Sequence, residues 1–229
     1  MSLDTFLSVV ADTCAELQID PAFLLGLLKE DDWSFVIKCH ALVEGAVTHA
    51  LVQTTGDERL RDFYRALPLN NRSTGKLAVA IALEVLEPWH LRFIPALSAI
   101  RNTLVHDAAN VGFTFPGYVS ALSRARLEEL GRACAMADVV DKASLARSID
   151  MLRAQPKYHF WILTVFLLSR AYLQAQKARL ATERARLDAD LARSASAVLG
   201  DVFDGLAAGQ LPFKVVGHAL AGPTERPAA

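Results

Sequence analysis

The segment 100–107, IRNTLVHD, places an arginine, an asparagine and a histidine inside what otherwise reads as a buried helix. Their types suit chemistry on an anion. Arg101 carries a permanent charge on a forked donor, His106 can take or give a proton, and Asn102 can fix the orientation of an imidazole. The same trio also suits a structural network, because an arginine that cannot lose its charge must be paired or must look into a polar cleft.

Helical spacing of about 100° per residue arranges the three side chains. With Ile94 as the origin, Leu97, Leu104, Val105 and Ala108 form an apolar stripe between roughly 280° and 20°. Arg101 falls within it at about 340°, and the small Ser98 sits on its edge at about 40°. Asn102 and His106, at about 80° and 120°, are an i,i+4 pair beside the stripe. A core-facing arginine calls for a carboxylate from another helix. The first candidate is Glu44 in WSFVIKCHALVEGAVTHALV, where Val36, Cys39, Val43, Val47 and Ala50 make the apolar face and His40 and Glu44 share one border. Glu84, among Ala80, Ile81 and Leu83, is the second.

The elements that must position these residues are helical almost throughout. Ala, Leu, Arg and Glu dominate, and apolar positions recur at threes and fours. Asp20-Pro21 opens a short helix, Asp31 and Asp32 cap a long one to about Gln53, and Gly56-Asp57 starts another. Ser73 or Thr74 is expected to cap GKLAVAIALEVL, and Pro95 to sit in the first turn of a helix ending near Asp107. Helices follow at 117–137 and 143–154, and Pro156 opens a last one to about Leu199. The fold class is therefore all-α: an antiparallel bundle over 1–155, a long C-terminal helix over 156–220 that packs on it and extends as an arm, and a disordered tail at 221–229. LPFKVVGH at 211–218 is the one stretch with strand character.

Composition narrows the function classes. A 229-residue chain that is 52% apolar can bury one substantial core. A net charge of −1 excludes coating nucleic acid by charge alone, so any RNA contact must be local. Cys14, Cys39 and Cys134 form no CxxC pair, which points to a reducing cytoplasm. The N-terminus has no basic leader, and the apolar run at 160–168 is too short to span a bilayer, so no membrane partner is expected.

Arg-Asn-x-x-x-His near the end of a helix, in an all-α chain of this size, resembles the signature of the HEPN superfamily. The preceding run STGKLAVAIALEVLEPWHLRFIPALSAIRNTLVH, with Phe113 after it, is similar to the HEPN-like family that includes the mannitol operon repressor, in which a Lys-ϕ-x-x-Ala stretch leads into the motif. LVEGAV also resembles the second helix of such domains. The likeness covers residues 30–115, and the C-terminal arm finds no counterpart in the smaller toxins. It implies either a metal-independent endoribonuclease, in a toxin or phage-defence role with an antitoxin or regulatory partner, or a non-catalytic regulatory or RNA-binding relative. It also implies a homodimer in which two copies of Arg101 and His106 line one cleft, with Asn102 beside them.

Other chemistry fits less well. RSTGKL at 72–77 has no glycine five residues before Gly75, and Leu77 stands where a magnesium-binding Ser or Thr should be; Lys76 then reads as a solvated first-turn residue or a weak RNA contact. Cys39, His40 and His49 lack zinc spacing, so no metal or cofactor is expected. His90 and His159 neighbour aromatic residues and read as packing. The arm carries Leu173, Leu180 and Leu187 at sevens among balanced charges, which suits solvation or a helical partner better than RNA.

Overall fold

The structure, a computed structural model, describes residues 3–208. Ten α-helices follow in chain order among the described residues: α1 (Leu3–Glu16), α2 (Pro21–Gly26), α3 (Asp32–Thr55), α4 (Arg61–Ala66), α5 (Lys76–Ala82), α6 (His90–His106), α7 (Phe115–Ala121), α8 (Arg124–Ala133), α9 (Lys142–Ala154) and α10 (Pro156–Ala207). No strand occurs among the described residues, and the chain is an all-α bundle with a long last helix. The expectations for 209–220, including 211–218, and for 221–229 lie outside the described residues. One compact unit runs through Arg179, and a second begins at Leu180.

Side-chain caps start many of these helices where the sequence has Asp, Ser or Thr. Asp20 accepts from Ala22 N at 2.8 Å, Asp31 from Ser34 N at 2.8 Å and Asp141 from Ser144 N at 2.7 Å. The expected helix at 117–137 is two helices, because Leu122 turns extended and Ser123 caps α8 anew.

The core is centred on α3 packed against α6. Phe35, Val36, Cys39, Val43, Val47 and Leu51 of α3 and Phe93, Ile94, Leu97 and Leu104 of α6 are all buried. Phe160 of α10 closes the core, its ring 5.7 Å from Phe93 and 5.1 Å from Phe115. By length and hydropathy α3 could cross a membrane, but its apolar face is the middle of this core. Asp32 ties three elements together, accepting from Phe115 N at 2.8 Å and pairing with Lys157 at 3.1 Å.

Pro95 lies inside α6 rather than in its first turn, which begins five residues earlier. A proline there removes the donor for the carbonyl four residues back, Leu91. Arg72 supplies it, donating from Nη2 to Leu91 O at 2.6 Å. Arg72→Ala should therefore cost about 1 kcal/mol, and in a Pro95→Ala background, where the helix can supply its own N–H, less than half of that. Equal costs in the two backgrounds, by urea denaturation, would show that the Arg72 contact is idle.

Candidate functional site

Arg101 and Asn102 lie on a cleft of about 320 Å³ between α3 and α6, walled by the turn Pro68–Asn70. Its floor follows from two helix faces seen in the sequence. His40 and Glu44 are one turn apart on the border of the α3 stripe, and Ser98 is the small residue on the edge of the α6 stripe. His40 Nε2 lies 3.1 Å from Ser98 Oγ, and both residues are buried. Burial holds the His40 pKa below its ordinary value; Glu44 opposes that shift, and the positive charges of Arg101 and Lys76 add to it.

The carboxylate expected for Arg101 is taken. Glu44 Oε1 accepts from Lys76 Nζ at 2.5 Å, and Lys76 also reaches Arg65 O at 3.4 Å. Lys76 is 1% exposed, which overturns its reading as a solvated residue. Glu84 is no substitute, since α5 ends at Ala82 and Glu84 is exposed in a left-handed conformation at φ 52°. Arg101 is half-buried; its guanidinium donates to Asn102 Oδ1 at 3.1 Å, and no carboxylate lies within ion-pair distance among the described residues.

His106 is not in this cleft. It ends α6, exposed, roughly 140° around the helix from Arg101, and no hydrogen bond joins it to Asn102 among the described residues. Val105 and Ala108 are exposed as well, because the helix stops and the chain turns away through 108–112 instead of continuing the stripe. Among the described histidines His106 is the exposed one. His40, His90 and His159 are buried and His49 is half-buried, and burial depresses the pKa of all four.

His90 is the extreme case, pushed from 6.5 to about 3 by burial, with Nδ1 accepting from Glu87 N at 3.0 Å and Nε2 unpartnered. The unfolded chain takes up this proton near 6.5 and the native chain resists it, so stability is full above that pH and is lost as pH falls toward 3. By pH 5 the loss should reach about 2 kcal/mol, and His90→Gln should flatten the decline in urea midpoint from pH 6.5 to 5. Parallel curves for the two proteins would remove His90 as the cause.

Sequence spacing places His40 and Ser98 on their helix borders but gives them no part in a site, and Lys76 reads there as a solvated first-turn residue or a weak RNA contact. Nothing in the spacing around Lys76 marks it as buried. A larger cavity, about 780 Å³, lies on the opposite border of α3 and holds none of the trio. Its cations are mostly committed: Arg179 to Glu16, Arg61 to Glu58 and Lys38 to Glu30. Comparison of the chain with protein-family models, curated proteins and solved structures found no match.

Proposed function

We propose that the chain is a metal-independent endoribonuclease of the HEPN kind, acting as a dimer in which two copies of Arg101, Asn102 and His106 enclose one RNA phosphate. The observation that carries this reading is Arg101: a fixed charge set in a polar cleft with an amide oxygen as its partner and its nearest candidate carboxylate engaged by Lys76. A structural arginine of the core would have taken Glu44. One that leaves the acid to a neighbouring lysine keeps its fork for a phosphate.

The reaction would use the RNA's own 2′-hydroxyl. His106 of one copy takes the 2′ proton, the 2′-oxygen bonds to phosphorus, the bond to the 5′-oxygen breaks, and His106 of the second copy protonates that leaving oxygen. Arg101 stabilises the charge that gathers on the phosphoryl oxygens. A single His106 cannot hold both proton positions at once, which is why the second copy is required.

A second reading, a non-catalytic HEPN-like RNA- or protein-interaction module, is favoured by the separation of His106 from Arg101 on the same helix. Purified wild type, Arg101→Ala and His106→Ala, incubated with RNA in a chelator and expressed in cells, distinguish the two. Cleavage by the wild type that leaves 2′,3′-cyclic phosphate ends, with loss in both variants, is the expected result. RNA binding that depends on Arg101 but never cuts would select the second reading, and three proteins equally inert toward RNA would overturn the nuclease and every RNA-binding form of the second reading.

A further inference from the structure

The second unit carries an exposed apolar stripe, unpartnered among the described residues. On α10, Leu180, Leu187, Leu191 and Val198 are 65%, 58%, 68% and 61% exposed. At about 100° per residue all four fall within an arc of roughly 40°. Their intervals of seven, four and seven are those of heptad d, d, a and a positions, with Arg184 and Ser194 at the remaining a and d.

We propose that this stripe is a self-association surface on which a second copy of the chain pairs antiparallel. The direction follows from the pattern. In an antiparallel pair each a position faces a d position, so Leu180 meets Val198 of the second copy and Leu187 meets Leu191, each contact occurring twice by the two-fold axis. Arg184 is then level with Ser194, and Lys177, one turn before Leu180, is level with Asp201. A parallel pair would instead set Arg184 against Arg184 in the seam.

Charge along the helix agrees. Lys177, Arg184 and Arg186 outweigh Glu183 and Asp188 in the first half, before the two-fold at position 189, even with Arg179 left out because it is held by Glu16. Asp190, Asp201 and Asp204 outweigh Arg193 in the second. Antiparallel pairing lays the positive half on the negative half, and parallel pairing lays like on like. The acidic second half also makes a nucleic acid or an anionic lipid surface a poor occupant. The interface is independent of the cleft and holds whether or not the cleft cuts RNA.

Full-length Leu180→Cys and Val198→Cys variants, alone and mixed in equal amounts, test it with a short thiol-specific cross-linker. The native Cys14, Cys39 and Cys134 are buried and do not compete. Antiparallel pairing predicts cross-linked dimer in the mixture and little in either variant alone, because each cysteine then sits about 27 Å along the helix from its own copy. Strong cross-linking of Leu180→Cys alone would establish a parallel pair and overturn the proposal. So would a chain that sediments as a dimer yet cross-links in no combination, or one that sediments as a monomer. Leu187→Asp, which strikes the seam twice per dimer, should weaken this association about a hundredfold with helicity unchanged.

Discussion

Glu44→Ala should lower the stability of the bundle by about 3 kcal/mol, while Lys76→Met should cost about 1 kcal/mol. The asymmetry comes from burial. The Lys76 side chain is 1% exposed and the Glu44 side chain 37%. Removing the carboxylate leaves an ammonium group inside the protein with the Arg65 carbonyl, 3.4 Å away, as its remaining partner. Removing the ammonium leaves a carboxylate that water already reaches, and methionine refills most of the lysine's volume. For a chain of this length the Glu44→Ala loss corresponds to a fall in Tm of about 6–12 °C. In the double variant the penalty should drop below that of Glu44→Ala alone, because the stranded charge has gone. Urea denaturation of the four proteins measures the coupling, and a Lys76→Met cost equal to or above that of Glu44→Ala would contradict the asymmetry.

The sequence made the two helix faces of the cleft legible and hid its third wall. Periodicity placed Val36, Cys39, Val43, Val47 and Ala50 on one face of α3, and every one of them is buried. His40 and Glu44 on that border, and Ser98 and Arg101 on α6, all line the cleft. Periodicity cannot show which loop folds over a helix end, and so Lys76 read as solvated. The N-terminus of α5 has no side-chain cap from Ser73 or Thr74, which instead donate backbone N–H groups to Asn71 Oδ1 at 2.8 and 2.9 Å. The first N–H groups of α5 are satisfied by a loop: Lys76 N donates to Pro68 O at 2.9 Å and Leu77 N to Leu69 O at 3.3 Å. A helix start buried against a turn carries no side-chain signature. The end of α6 after His106 agrees with the end expected near Asp107, but periodicity did not show that Val105 and Ala108, at stripe angles, would be exposed there.

That buried start makes Gly75→Ala the second large effect, with an expected loss of about 3 kcal/mol. A Cβ at Gly75 would stand 2.3 Å from Pro68 O, 2.7 Å from Asn71 O and 2.8 Å from Asn71 Cβ. The two nearest are backbone atoms of the turn that satisfies α5, so relief requires the turn to move as a whole. Moving it breaks the Pro68 and Leu69 bonds to α5 and shifts Lys76 away from Glu44. Gly45→Ala is the internal control: Gly45 lies in the middle of α3, a Cβ there meets nothing within 4 Å, and helix propensity alone should make the variant about 0.5–1 kcal/mol more stable. The pair separates a requirement for space from a requirement for flexibility, since the same added methyl should act in opposite directions at the two sites. If Gly75→Ala were tolerated with an unchanged thermal midpoint, the close approach of the 68–71 turn to α5 would be wrong, and with it the wall that encloses Arg101.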